Sequence, residues 1–492
     1  MSPYQTHPVE IHHLKHATPD YLQAALTVVQ NVHKFKGKAD ILVFLPGENE
    51  IETLCSQLRR AKLDLEVLPL YSLMASKEQK RVFQPSSKRR CIVTTTMAEN
   101  FTTVDKETRW ISNVKYVVDS GLRRLSYQNP RTRMDMLLLT PVSKQQAQQR
   151  AKRAGAFGPG ECYRLYTKKC YKELAEDALP DMLRLDITDE ILYLKNEEGS
   201  VDLTEYGAGP ENVLRALGDL NDWGYLDDQG DITRLGRDAA SQEFPVHPVW
   251  YRVLLEAAKC DCSVEMVSIA ALLSTRRTVF LRPYAHRHVA DLARQQFGHA
   301  LSDHMSLLNA FYAYCGLLKE VEAGLDVDVE EWCTDHFLSH AALEDALEIE
   351  GKIRDFLREH RLIKAISTPF RSPQYDTNIR KALARGFCTQ TAFHEAGDVY
   401  RTVHRGDHAL LSRTSALLDK NHQWVVYHRF HLVAHCRQYL EVVTAIKPEW
   451  LVDLPCFQDE RWARPRDGSG DAIQAVAKAS IDEARERMQQ SD

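Results

Sequence analysis

The sequence predicts an α/β unit, then an all-helical stretch, then a small β-rich unit. Three observations carry that prediction. Ile41–Leu45 (ILVFL) is a continuous apolar run, as a strand buried on both faces of a parallel sheet requires. From about 171 to 362 apolar residues recur at helical spacing, as in 213–226 and 253–273. Beyond 363, short pieces such as DVYRTV, HALLS, QWVVYHRFHLV and LEVVTAI point to a small barrel.

The elements follow in order. After ILVFL, residues Ile51, Leu54 and Leu58 mark a helix. Strand-like LEVLPL (65–70), a helix around Lys77–Phe83, CIVTTT (91–96) and VKYVVDS (114–120) continue the alternation of a parallel α/β sheet. Residues 122–140 place apolar arms around Asn129-Pro130, a turn signal, and read as a β-hairpin grafted onto the α/β unit. The basic turn QQRAKRAGAFGPG (148–160) runs into the apolar strand ECYRLY. GYLDDQGDITRLG suggests a small hairpin closing a winged helix, and the tail after Cys456 reads as a frayed charged helix. The predicted divisions are 1–170, 171–245, 246–362, 363–455 and a charged tail, 456–492.

Composition narrows the function classes. A chain of 492 residues is too long for one core. No apolar run approaches the roughly 18 residues that span a bilayer, and the polar, histidine-rich start is unlike a signal peptide. Eleven cysteines lack paired ligand spacing, so reduced thiols and no metal site are expected. The net charge of −5 neither announces nor excludes a nucleic-acid binder, because binding depends on local patches. Residues 144–169 form such a patch, although a solvated basic face would look the same.

The order of motifs resembles the C-terminal half of DEAH-box RNA helicases over roughly residues 6–455. The resemblance is carried by ILVFLPGENEIE, PLYSLMASKEQKRVF, IVTTTMAENFTTVD, YVVDSGLRRLSYQNPRTRMD, QQRAKRAGAFGPGECYRLYT, LPDMLRLDITDEILYLK and GDITRLGRDAASQEFPVHP. Within that family it is most similar to the G-patch-activated type of spliceosome disassembly and ribosome biogenesis. The resemblance implies a second RecA-like domain with a β-hairpin, a winged helix, a helical bundle (ratchet) and an OB-fold. It also implies RNA as ligand, a G-patch protein as partner, and a nuclear location; neither DNA nor membrane is expected. The glycine loop GxxxxGK(S/T) and the Asp-Glu-Ala-His of the family's first RecA-like domain find no match in this sequence. No cofactor is therefore expected for the chain alone. ATP and Mg²⁺ enter only if a first RecA-like domain is supplied in trans, and unwinding by the chain alone is not expected.

Carried over position by position, the resemblance names its site residues. Gln149, Arg150 and Arg153 match the family's Q-R-x-G-R-x-G-R, whose last two arginines reach the γ-phosphate; here the second is Ala156 and the glycine before the first is Lys152. Arg153 serves either a residual phosphate role or only the packing of the strand ECYRLY. Thr95 and Thr96 stand where the family holds RNA phosphates, and Thr103 and Asp105 where it touches nucleotide. Phe83 stands where a phenylalanine stacks on adenine, and a core role fits it equally. Arg123, Arg124, Tyr127, Arg131 and Arg133 make the hairpin a basic, aromatic-bearing ribbon suited to RNA, or else a solvated charged hairpin. Val433-Ala434-His435 replaces the family's Thr-Ser-Lys in the barrel, which removes phosphate donors. Two further readings accompany the helicase one: an RNA-binding or G-patch-binding adaptor docking through 213–226, and one half of a split enzyme.

Overall fold

Why ILVFL is apolar at every position is answered by β2 (Asp40–Phe44), the middle of a parallel sheet with a separate core on each face. Ile41 and Val43 belong to one buried cluster, Leu42 and Phe44 to the other. The structure, a computed structural model, describes residues 7–490 apart from 75, 100–101, 105–106, 110, 199–206, 241–243, 361–362, 434–436 and 459–470.

The other strands of this sheet are β1 (Val9–Leu14), β3 (Leu65–Leu70), β4 (Arg89–Thr94), β7 (Val114–Asp119) and β10 (Gly160–Thr167). Its order is β1-β10-β7-β2-β4-β3, and every pairing is parallel. Two short strands, β5 (Thr102–Val104) and β6 (Glu107–Arg109), pair apart from it. Edge strand β1 went unread in the sequence, because Glu10, His12 and His13 interrupt its apolar pattern.

The hairpin β8 (Leu122–Asn129) and β9 (Met134–Pro141) forms as expected but joins a different sheet. Its partners are the barrel strands β11 (Thr391–Ala396), β12 (Val399–Thr402), β13 (His408–Leu411), β14 (Trp424–Val433) and β15 (Arg437–Ala445). β9 runs parallel to β14 through His431↔Asp135 and Leu432↔Met136, and Met134 enters the barrel core. The hairpin is thus an edge of the barrel sheet, fed from the α/β unit.

Between them lie the helices. Pro210–Asp222 leads the winged-helix unit, whose expected small hairpin contracts to a single bridge, Leu226↔Ile232. The ratchet-like bundle centres on Ser263–Ser274, which is apolar around most of its circumference and correspondingly buried. The helix at the end of the charged tail is packed rather than frayed. Within the helix Asp471–Gln489, Ala477, Ile481 and Ala484 are buried at helical spacing, and Trp424 Nε1 donates to Ser480 Oγ at 3.0 Å.

Ratchet and barrel meet at a buried polar bolt. His304 Nδ1 lies 2.9 Å from Thr444 Oγ1, which lies 2.6 Å from Ser302 Oγ. Burial pushes His304 down to a pKa of about 3. A histidine so lowered binds protons more readily when unfolded. Its stabilising contribution is therefore present above the unfolded value of about 6.5 and is lost as pH falls below it. Urea unfolding followed from pH 7 to pH 4 is expected to show falling stability. His304→Gln should lower that slope by up to ~1.4 kcal/mol per pH unit.

Candidate nucleic-acid interface

The turn 148–160 is organised by burial, not display. Helix Lys144–Lys152 starts at a capping box in which Ser143 and Gln146 satisfy each other's backbone N–H groups. One face then carries Arg150 to complete burial. Arg150 Nε donates to Glu99 Oε1 at 2.8 Å, and Nη1 donates to Asp119 Oδ1 at 2.7 Å and to the Leu122 carbonyl at 3.2 Å. Its guanidinium also lies over the Phe44 ring. Burial alone would lower its pKa; Asp119 and Glu99 together hold it above the ordinary value.

Arg153 is 1% exposed, its Nη2 donates to the Ile111 carbonyl at 3.3 Å, and burial lowers its pKa to about 9. Neither guanidinium reaches solvent: Arg150 is held by buried carboxylates, and Arg153 sits in the packing role that is one of its two readings. Gln149 is half-buried beside them, and the adjoining cation that is exposed is Lys152.

Three of the hairpin's arginines are held in ion pairs within the molecule, Arg131 at an exposed position. Arg124 pairs with Glu50 at 3.1 Å, Arg131 with Glu211, and Arg133 with Asp219 and, at 3.6 Å, with Asp222. Asn129 Oδ1 accepts from the backbone N–H of Arg131 and Thr132, which closes the predicted turn. Arg131 and Arg133 thus join the hairpin to the winged-helix unit, and Arg124 joins it to the α/β unit. Arg123 and Tyr127 are half-exposed, and burial lowers the Arg123 pKa.

Thr95 caps the 3-10 turn Thr96–Ala98 at the C-terminal end of β4, and Thr96 is exposed there. Phe83 packs partly buried against one core of the sheet. Thr103 lies in β5, with its side chain outside the described residues, as is all of Asp105. The barrel positions Ala434 and His435 also lie outside them.

What the structure brings together is a path that the sequence did not reveal. A cavity of about 110 Å³ lies between Ser72 and Met97 of the α/β unit and Arg276, Arg277 and Thr278 of the ratchet. A second, of about 190 Å³, joins Arg276 and Arg277 to Ser412, Thr414, Arg429 and Glu441 of the barrel. A third, of about 570 Å³, extends from Arg276 and Arg429 to Gln128 of the hairpin. Arg276 lines all three. Arg277 pairs with Asp345 at 3.3 Å, whereas Arg276 and Arg429 are exposed and make no ion pair among the described residues. The only sequence signal was the Arg-Arg pair directly after an apolar helix. The 144–169 patch lies elsewhere: Lys152, Arg164 and Lys168 rim a groove beside β1.

These modules have recognised counterparts. Residues 252–307 match the helicase associated domain (HA2), ratchet-like, and residues 379–455 match the oligonucleotide/oligosaccharide-binding (OB)-fold. The two matched segments fall in the ratchet-like bundle and in the barrel. The pre-mRNA-splicing factor ATP-dependent RNA helicase prp22 of Schizosaccharomyces pombe is 32% identical over 92% of this chain. The chain spans 38% of that relative's length. Both matched segments line the ratchet–barrel path, one through Arg276 and Arg277 and the other through Ser412, Thr414 and Arg429.

Replacing Arg150 by Met would leave Asp119 and Glu99 buried without their cation. A loss of about 3–5 kcal/mol in urea unfolding is expected. Lys152→Ala, at an exposed neighbour, should stay within about 0.5 kcal/mol of the parent.

Proposed function

We propose that this chain is a DEAH-box RNA-helicase-like protein that holds single-stranded RNA along the path shared by the ratchet, the barrel and the end of β4. The observation that carries the reading is Arg276, an exposed cation lining three adjoining cavities. Thr95 and Thr96 at one end and Ser412 and Thr414 at the other supply hydroxyl donors for phosphates, with Arg429 as a second cation. Pre-mRNA splicing in the nucleus is the process we assign, after the prp22 relative. ATP hydrolysis is assigned to this chain only together with a first RecA-like domain. That assignment is supported by the sequence offering no match to the GxxxxGK(S/T) loop or to the magnesium-holding Asp-Glu-Ala-His.

Fluorescence anisotropy of a labelled single-stranded RNA across a salt series tests the path. The double change Arg276→Glu and Arg429→Glu should weaken binding at least tenfold. It should also reduce the slope of log K against log salt by roughly 0.7 per lost phosphate contact. An ATP analogue should change nothing. Unchanged affinity in the double variant would remove the path from consideration.

A second reading, docking of a G-patch protein on the winged helix, is favoured by one observation: Leu214 projects from helix Pro210–Asp222 70% exposed. Leu214→Glu is expected to abolish capture of a G-patch segment in a pull-down while leaving RNA affinity within twofold.

A further inference from the structure

Two buried thiols take no part in the RNA path. Cys388 follows helix Tyr375–Gly386, and Cys456 sits in the 3-10 turn Pro455–Phe457 that closes the barrel region. They are 1% and 6% exposed, and their Sγ atoms lie 2.7 Å apart. A disulfide needs about 2.05 Å, so a shift of roughly 0.6 Å brings the sulfurs to bonding distance.

Charged groups brace the backbone on both sides of the pair. Arg252, on helix Val249–Lys259, donates Nη2 to Cys388 Sγ at 3.3 Å and Nη1 to the Asp222 carbonyl at 2.8 Å. Arg385 donates to Glu256 at 2.6 Å and to both oxygens of Asp453 at 2.7 and 3.0 Å. The thiols therefore sit where winged helix, ratchet and barrel converge.

The two sulfurs are also unequal. The hydrogen bond from the Cys456 thiol, with the Arg252 guanidinium beside it, holds Cys388 below the ordinary thiol range. Burial and the neighbouring Cys388 sulfur push Cys456 above it. A thiolate stabilised by a cation is the nucleophile of a redox pair, and a neighbouring thiol resolves it. The cavity of about 570 Å³ is lined by Phe387 and Thr389, the chain neighbours of Cys388, and so brings a small oxidant within one residue of the pair.

We propose that Cys388 and Cys456 form a peroxide-responsive disulfide that ties together the two ends of the barrel unit. The Cys388 thiolate attacks one peroxide oxygen. An S–O bond forms, the O–O bond breaks, and the departing hydroxide takes a proton and leaves as water. Sulfur loses two electrons to the peroxide. Cys456 sulfur then attacks the sulfenic sulfur of Cys388. The S–S bond forms, the S–O bond breaks, and hydroxide leaves with the Cys456 proton as a second water. Two thiols and one hydrogen peroxide thus give one disulfide and two waters. The closed loop contains all the barrel strands, β11 to β15, so the bond restrains the whole barrel against the helix that precedes it.

The test uses the full chain treated with hydrogen peroxide, denatured, blocked with N-ethylmaleimide and mapped by mass spectrometry. The expected product is a Cys388–Cys456 linked peptide pair, two hydrogens lighter than its reduced parts. Blocked cysteines should fall from eleven to nine, and dithiothreitol should restore them. Cys456→Ser should leave a sulfenic acid on Cys388 that dimedone captures. The wild-type map decides the matter whether or not that variant folds. Recovery of Cys388 and Cys456 both blocked while other cysteines are oxidised would overturn the proposal, as would either one linked elsewhere.

Discussion

Much of the molecule hangs on the buried ion cluster of Arg150 with Asp119 and Glu99. Asp119 ends β7, Glu99 follows β4, and the Leu122 carbonyl opens the hairpin; one guanidinium holds all three. Buried ion pairs add little net stability over apolar packing, but losing one partner is severe, so they fix geometry rather than supply energy. Asp119 extends the cluster by accepting from Tyr166 Oη at 2.9 Å and from the Gly121 N–H at 2.9 Å. Gly121 turns at φ +73, and a Cβ there would stand 2.5 Å from the Tyr166 ring. This corner aims the chain out of the parallel sheet and into the hairpin.

That aim couples the units. The hairpin leaves the α/β unit, lies along β14 of the barrel and clamps the winged helix through Arg131 and Arg133. Three units are thereby joined by one ribbon, and Arg124, Arg131 and Arg133 are neutralised in the joining. The large central cavity shows the same balance, with Arg133 and Arg215 facing Asp186 and Asp219. Charge available to a phosphate backbone is left to positions such as Arg276 and Arg429, on the ratchet loop and the barrel strand.

The sequence was legible where a pattern is local. The β2 run, the helix after it, the Asn129-Pro130 turn and the barrel strands all carry their signal within a few residues. It was not legible where the partner is distant. Nothing near Arg131 or Arg133 reveals that Glu211 and Asp219 lie across from them, so a basic ribbon reads as a ligand surface. The hairpin's sheet depends on β14, some three hundred residues on. Edge strand β1 failed for another reason: one side of it is open, so histidines and a glutamate are tolerated and the alternation is lost.

The motif turn can be understood on the same terms. Gly155 accepts from the His7 N–H at 2.8 Å, and a Cβ at Gly155 would stand 2.5 Å from the His7 carbonyl. The glycine is therefore required for the chain before β1 to lie against the turn, with or without a nucleotide. Arg150 is required by two buried carboxylates. Arg153 fills the space beneath β7 and reaches the Ile111 carbonyl. Position 156 carries no such packing duty: it is half-exposed and holds alanine. Arg150, Arg153 and Gly155, which match the family pattern, are residues the fold itself needs, whereas the two departures, Lys152 and Ala156, fall where the fold makes no such demand.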